Sequence, residues 1–129
     1  MSKSNFLEEA IIGSVLLGEA WPITPNPTLT VSLHTADPGE ITPANEVSGG
    51  SYARAAVTFT DGTVGGVTKA VNTADVVFPV ATASWGTVTH FVIWAGANPV
   101  YTGALTPTQA INTNGQLTID AGTLEVSED

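Results

Sequence analysis

Between Phe78 and Trp94 the chain reads Phe-Pro-Val-Ala-Thr-Ala-Ser-Trp-Gly-Thr-Val-Thr-His-Phe-Val-Ile-Trp, a concentration of aromatic and β-branched residues found nowhere else in it. From Thr87 onward one parity is Thr87, Thr89, Phe91 and Ile93, and the other is Val88, His90, Val92 and Trp94. With a period of two, both faces carry bulky apolar groups, so this stretch is expected to be a central strand covered on both sides. One face can fill a sandwich interior. The other then needs a helix, a long loop or a neighbouring subunit over it, because large exposed apolar patches are uncommon on soluble monomers. If Trp94 is buried, truncating it to alanine should cost about 3–5 kcal/mol.

The rest of the chain supplies one helix and a series of short strands. Residues 4–18 carry the helix: Ser4 or Asn5 can cap it, Asn5 and Glu8 have capping-box spacing, and Gly18 can close it. Its apolar stripe is expected at Phe6, Leu7, Ala10, Ile11, Val15 and Leu17, widened by Ile12 and Leu16 beyond what one surface needs. Packing on the chain's own sheet is the plain expectation; an intersubunit helix is the alternative. The run Trp21–Pro27 has three prolines and is expected to be extended. Strands are expected at Thr28–Thr35, with Thr30, Ser32 and His34 on a wet face, then at Ala55–Thr60, Val67–Asn72, Val76–Pro79, the central stretch, Val100–Leu105, Gln116–Asp120 and Thr123–Val126. Turn signals recur about every ten residues, and a loop of roughly 15 residues from Ala36 to Gly50 looks like a contact element. The fold class is mainly β: an antiparallel sandwich or barrel of seven to eight short strands with one N-terminal helix. The 129 residues are expected to form a single domain, the β part spanning 28–126.

Composition narrows the function. Three basic residues, Lys3, Arg54 and Lys69, stand against 12 acidic ones, so there is no basic footprint for phosphate and direct nucleic-acid binding is not expected. Cysteine is absent, which removes disulfide and thiolate chemistry. The apolar run ending Gly18-Glu19-Ala20 resembles a signal peptide, but Glu8 and Glu9 stand where positive charge belongs, so it is expected to be kept. It is too short to span a membrane, and no membrane partner is expected.

The chemistry-bearing residues are few. His34, Asp37 and His90 are the one set worth testing as a metal site, and hydrogen-bonded strand histidines are the plainer role. Ser48 and Ser51 flank a glycine pair without the Gly-x-Ser-x-Gly elbow of a nucleophile. Glu8 with Glu9, and Glu40 with Glu46, are not set in apolar sequence that would raise a carboxyl pKa for glycoside hydrolysis. No catalytic residue, metal or cofactor is therefore expected. Trp21, Tyr52, Trp85, Trp94 and Tyr101 could stack on sugars, although buried core is the commoner fate of such rings. Arg54 could pair with an acidic neighbour or within its own subunit.

Four strings, Leu33-His-Thr-Ala-Asp-Pro-Gly39, Asn45-Glu-Val-Ser-Gly-Gly-Ser-Tyr-Ala-Arg54 with Ala56-Val-Thr-Phe59, Phe78 to Phe91, and Leu105-Thr with Gly115 to Ile119, resemble in order a family of small tailed-phage and prophage proteins. Members are labelled tail fibre or virion structural proteins, and proteins like them serve as capsid decoration (cement) components. The resemblance covers nearly the whole chain; where relatives carry a longer Gly-rich loop after the central strand, this chain has the clipped Ala95–Pro99. It implies a virion component, which the lack of candidate catalytic residues makes a non-enzymatic one, with capsid decoration the first expectation and a tail or tail-fibre subunit, or a glycan-binding module, the alternatives. The partners implied are the major capsid protein or other virion proteins, and further copies of the chain as a trimer or dimer. The candidate interface residues are Phe6, Ile12, Leu16, Trp21, Tyr52, Arg54, Trp85 and Trp94.

Overall fold

A computed structural model describes residues 1–24 and 27–128. Its ten strand segments and one helix make a mainly β, antiparallel architecture with the helix near the N-terminus. The count exceeds the seven to eight strands expected because several pairings involve only two residues. The expected extended run Trp21–Pro27 includes Pro25 and Asn26, which lie outside the described residues.

The chain starts with a strand that its sequence does not signal. β1 (Ser2–Lys3) pairs with β8 (Asn98–Ile111), matching Ser2 to Thr102 and Lys3 to Tyr101. Ser4 carries that edge into the helix, its N–H bonding the Val100 carbonyl and its Oγ donating to the Pro99 carbonyl at 2.5 Å. Ser4 then caps α1 (Asn5–Leu16) by accepting the Leu7 N–H at 3.2 Å, so the cap is Ser4 and not the Asn5–Glu8 box. Leu7 and Ala10 are buried, with Phe6 and Ile11 half-buried against the core. Val15 and Leu17, expected in the buried stripe, are 73% and 67% exposed, because only the first two turns lie on the protein.

The main sheet has the order β1-β8-β7-β2-β3, with β7 (Gly86–Ala95) central, β2 (Leu29–His34) beside it and β3 (Ala55–Ala56) at the edge. Register sets Val31 opposite Ile93 and Leu33 opposite Phe91 on one face, and Ser32 opposite Val92 and His34 opposite His90 on the other. The central strand is covered on both faces, as its pattern requires: Ile93 is 2% exposed on one and Val92 0% on the other. The supposed wet face of β2 is dry. Ser32 and His34 are fully buried, because the 36–46 loop returns along β2, where the Thr35 N–H meets the Asn45 carbonyl and the Val47 N–H the Leu33 carbonyl.

The expected Ala55–Thr60 strand is divided between two sheets. After β3 the chain crosses at Val57 and Thr58 into β4 (Phe59–Asp61), the edge of a second sheet of order β10-β5-β4, with β5 (Thr68–Asn72) and β10 (Glu125–Glu128). The expected Val76–Pro79 and Gln116–Asp120 strands shrink to the pair β6 (Val76–Val77) and β9 (Thr118–Ile119). One apolar core links these layers, from Leu7 through Val31, Phe78 and Ile93 to Leu124. Asn72, 2% exposed, ties the end of β5 to the last turn: its Nδ2 donates to the Ala74 and Asp120 carbonyls and its Oδ1 accepts the Leu124 N–H.

Candidate functional site

The buried second face of the main sheet holds a connected polar cluster. Trp94 Nε1 donates to Ser32 Oγ at 2.8 Å, and Ser32 Oγ lies 2.8 Å from His34 Nε2. His34 Nδ1 lies 2.7 Å from the Ala44 carbonyl, which can only accept. Nδ1 therefore carries the proton, Nε2 of the neutral ring accepts, and the Ser32 hydroxyl donates to it while accepting from Trp94. Each of these groups has a partner. Burial holds the His34 pKa below the usual histidine value, against the opposing pull of the Ala44 carbonyl and of Glu46.

The cluster reaches solvent at Arg54. Its guanidinium binds both Glu46 carboxylate oxygens, at 3.0 and 2.9 Å, and lies 3.8 Å from the centre of the Trp94 ring. Burial works against the Glu46 charge, yet the bonds from Arg54 and from the Tyr52 hydroxyl outweigh it and leave the carboxyl below its ordinary pKa. The Tyr52 hydroxyl donates to Glu46 at 2.8 Å and accepts the Leu33 N–H at 3.0 Å; burial, chiefly, raises its own pKa. The Tyr52 ring then meets Trp85 edge-on, 5.4 Å between centroids. Thus four of the eight candidate residues, Tyr52, Arg54, Trp85 and Trp94, belong to one neighbourhood.

Their surfaces differ. Trp85 is 4% exposed and donates to the Gly50 carbonyl, so its ring offers no free face for a sugar. Tyr52 and Trp94 are half-buried, and only Arg54 is exposed. Phe6 is packed on the core. Ile12, Leu16 and Trp21 are 52%, 73% and 48% exposed, and together with Val15 and Leu17 they put a large apolar surface at and just beyond the far end of α1.

Ser32 and His34 superficially match a nucleophile and its base, but both are sealed from solvent and the second ring nitrogen meets a backbone carbonyl rather than a carboxylate. The candidate metal set does not converge. His34 has both ring nitrogens occupied, Asp37 accepts the Gly39 N–H, and His90 Nδ1 bonds the Thr89 hydroxyl. Among the described residues, no group of three or more His, Asp or Glu side chains is placed to hold a metal ion. The sequence reading missed Glu46 and Ser32 as organising residues, and saw Ser4 only as one of two possible helix caps. Glu46 had a signal, because an Asn-Glu-x5-Tyr-x-Arg run on either side of a glycine turn brings acid and base to one edge.

A further feature is an apolar groove of about 450 Å³ where the two sheets part. Leu29, Ile93 and Val100 line it from the main sheet, and Phe59, Ala70 and Val126 from the second. At its mouth Glu128 accepts from the Tyr101 hydroxyl at 2.5 Å and pairs with Lys3 at 3.0 Å, joining the layers.

Fold and site together define a β-sandwich domain whose polar residues are committed to holding its own backbone while large apolar surfaces face outward. The sequence matches the family model described as Podophage GP4 fiber I protein gp80 over residues 2–127, and the chain belongs to that family. It is thereby a bacteriophage virion structural protein. No curated protein matches the chain.

Proposed function

We propose that this chain is a non-enzymatic subunit of the phage tail-fibre apparatus, working by contact with other virion proteins and with further copies of itself. The match to a phage fibre family across residues 2–127 carries the reading, and it favours the tail alternative over the capsid decoration that the sequence first suggested. The site supports a contact role. The Arg54–Glu46–Tyr52 group and the Ser32–His34–Trp94 chain lock β2, β7 and the 36–46 loop together, a rigid base from which exposed side chains can meet a partner.

Particle composition tests the placement. Immunogold labelling of intact virions, with copy number from quantitative mass spectrometry, should place a few to some tens of copies at the tail. Hundreds of copies over the shell would overturn the tail assignment in favour of capsid decoration. Turnover of any host polysaccharide by the purified protein, lost on substitution of a side chain in this chain, would overturn the non-enzymatic part.

A further inference from the structure

Where the chain changes sheets, one strand loses its neighbour. In β3 the odd-numbered residues face β2: Ala55 lies opposite Val31, and the Val57 N–H bonds the Leu29 carbonyl. In β4 the even-numbered residues face β5 instead, the Thr58 carbonyl accepting the Thr73 N–H and the Gly62 N–H donating to the Lys69 carbonyl. Antiparallel pairing bonds alternate residues to a given neighbour, so the N–H and C=O groups of Phe59 and Asp61 point away from β5. β2 goes no further than Leu29, and among the described residues no backbone group bonds those four.

This open edge borders the apolar groove between the sheets, and the side chains of Phe59 and Asp61 both line it. The groove holds about 450 Å³, some three times the roughly 150 Å³ cavity that accepts a benzene-sized molecule, so it has room for more than one aliphatic side chain. Charge narrows the occupant. Of the ionised groups on the groove, Glu128 is held by Lys3 at 3.0 Å and Lys69 by Glu125 at 3.2 Å. Asp61 remains: it is exposed, is bonded by Thr63, which holds its pKa below the usual carboxylate range, and has no cationic partner among the described residues. A second copy has no basic residue to give it, since Lys3, Arg54 and Lys69 are each ion-paired already.

We propose that the β4 edge and its groove receive an extended segment of a different protein, which adds a fourth strand to the second sheet. The segment sets a large apolar side chain beside Phe59 in the groove and a lysine or arginine opposite Asp61. Strand alternation places these two residues two apart, basic before apolar in an antiparallel segment and after it in a parallel one. Main-chain hydrogen bonds then supply affinity, and the groove and the carboxylate supply selectivity. This partner class rests on the reading of the chain as a virion subunit that works by contact, whether at tail or shell.

Blocked synthetic peptides test it, Val-Thr-Lys-Thr-Leu-Thr-Val for one direction and Val-Thr-Leu-Thr-Lys-Thr-Val for the other, with binding read by fluorescence anisotropy. At least one should bind saturably and slow hydrogen exchange at the Phe59 and Asp61 amides. Glutamate in place of its lysine should weaken binding about fivefold, and Asp61→Lys in the protein should reverse that preference. N-methylation of the lysine and leucine amides removes the bonds to β4 and should weaken binding about tenfold. Ala70→Trp, which fills the groove, should abolish it; if that variant does not fold, Thr68→Trp, at an exposed position on the same groove, replaces it. Failure of both peptides to bind at millimolar concentration would overturn the proposal. So would binding that survives N-methylation or the folded groove variant, or a lysine preference unchanged by Asp61→Lys, which would show only attraction to an acidic surface. None of these outcomes bears on the virion placement, which its own labelling test decides.

Discussion

Acidification should loosen this protein at His34 before it touches the carboxylates. The native ring is held neutral, chiefly by burial, so its pKa lies below 6.5 while the unfolded chain titrates near 6.5. Between those two values the unfolded state binds more protons, and stability rises with pH. Lowering the pH from 7 therefore removes stability from about 6.5 downward, at most about 1.4 kcal/mol for each pH unit, until the native pKa is passed and the contribution of this group levels off. The structure supplies the reason. A protonated Nε2 must donate to Ser32 Oγ, which turns the Ser32 proton toward the Val92 carbonyl at 3.5 Å, the limit of a hydrogen bond. Glu46 and Arg54 face the same ring with opposite effects, and His90 opposes the charge from the next strand.

Urea unfolding at half-unit steps from pH 5 to 8 reads the slope directly. His34→Asn, which keeps a donor for the Ala44 carbonyl, should start about 1–3 kcal/mol less stable for the orphaned Ser32 hydroxyl and lost packing, and should lose the slope. A wild type equally stable across pH 5 to 6.5, or an Asn variant with an unchanged slope, would refute a His34 ring held neutral by burial.

Other perturbations have equally definite outcomes. A Cβ on Gly103 would lie 2.6 Å from Phe91 Cζ, so Gly103→Ala should cost about 1–3 kcal/mol in urea unfolding and recover in part when Phe91→Leu is added; full additivity would refute the clash. Trp85→Ala should cost about 3–5 kcal/mol and shift the melting temperature whether or not any sugar is present, so loss of glycan binding in that variant would report unfolding. Arg54→Lys gives up the two-pronged bond to Glu46 and the stack on Trp94, and should cost about 1 kcal/mol; a stability equal to wild type would show that the pair is solvated. Below about pH 4.5 the lowered Glu46 pKa should add a second acid loss, and Glu46→Gln should remove it from the pH profile.

The parts of the fold that were legible in the sequence are those set by local pattern. Period-two apolar residues on both parities of Thr87–Trp94 require two covers, and β7 has them. The Ser4 region signals a helix start without choosing among Ser4 and Asn5; the choice comes from Pro99, 95 residues away, which accepts the Ser4 hydroxyl. Long-range closure also defeated the reading of β2. Thr30, Ser32 and His34 alternate with Leu29, Val31 and Leu33 as a solvated face would, and only the returning loop makes that face interior. The helix stripe was overextended because periodicity reports which side of α1 is apolar, not where the sheet beneath it stops. Of the site, Tyr52, Arg54 and Trp94 could be named singly from residue type. Their union needed the Glu46 carboxylate, placed opposite His34 by an isolated bridge that no local motif announces.

Strand β8 holds one more consequence. Its partner register runs from Ala104 opposite His90 to Gln109 opposite Val88, so Leu105–Thr108 loop out of the ladder. Among the described residues, only Ser2 and Lys3 pair along its outer side, which leaves the stretch beyond Thr102 as a border that a foreign strand could join. The excursion cuts that border into short lengths, and Pro107 has no amide hydrogen to offer there. A second backbone is thus denied a long unbroken edge to zip onto, which guards crowded chains against open-ended strand addition.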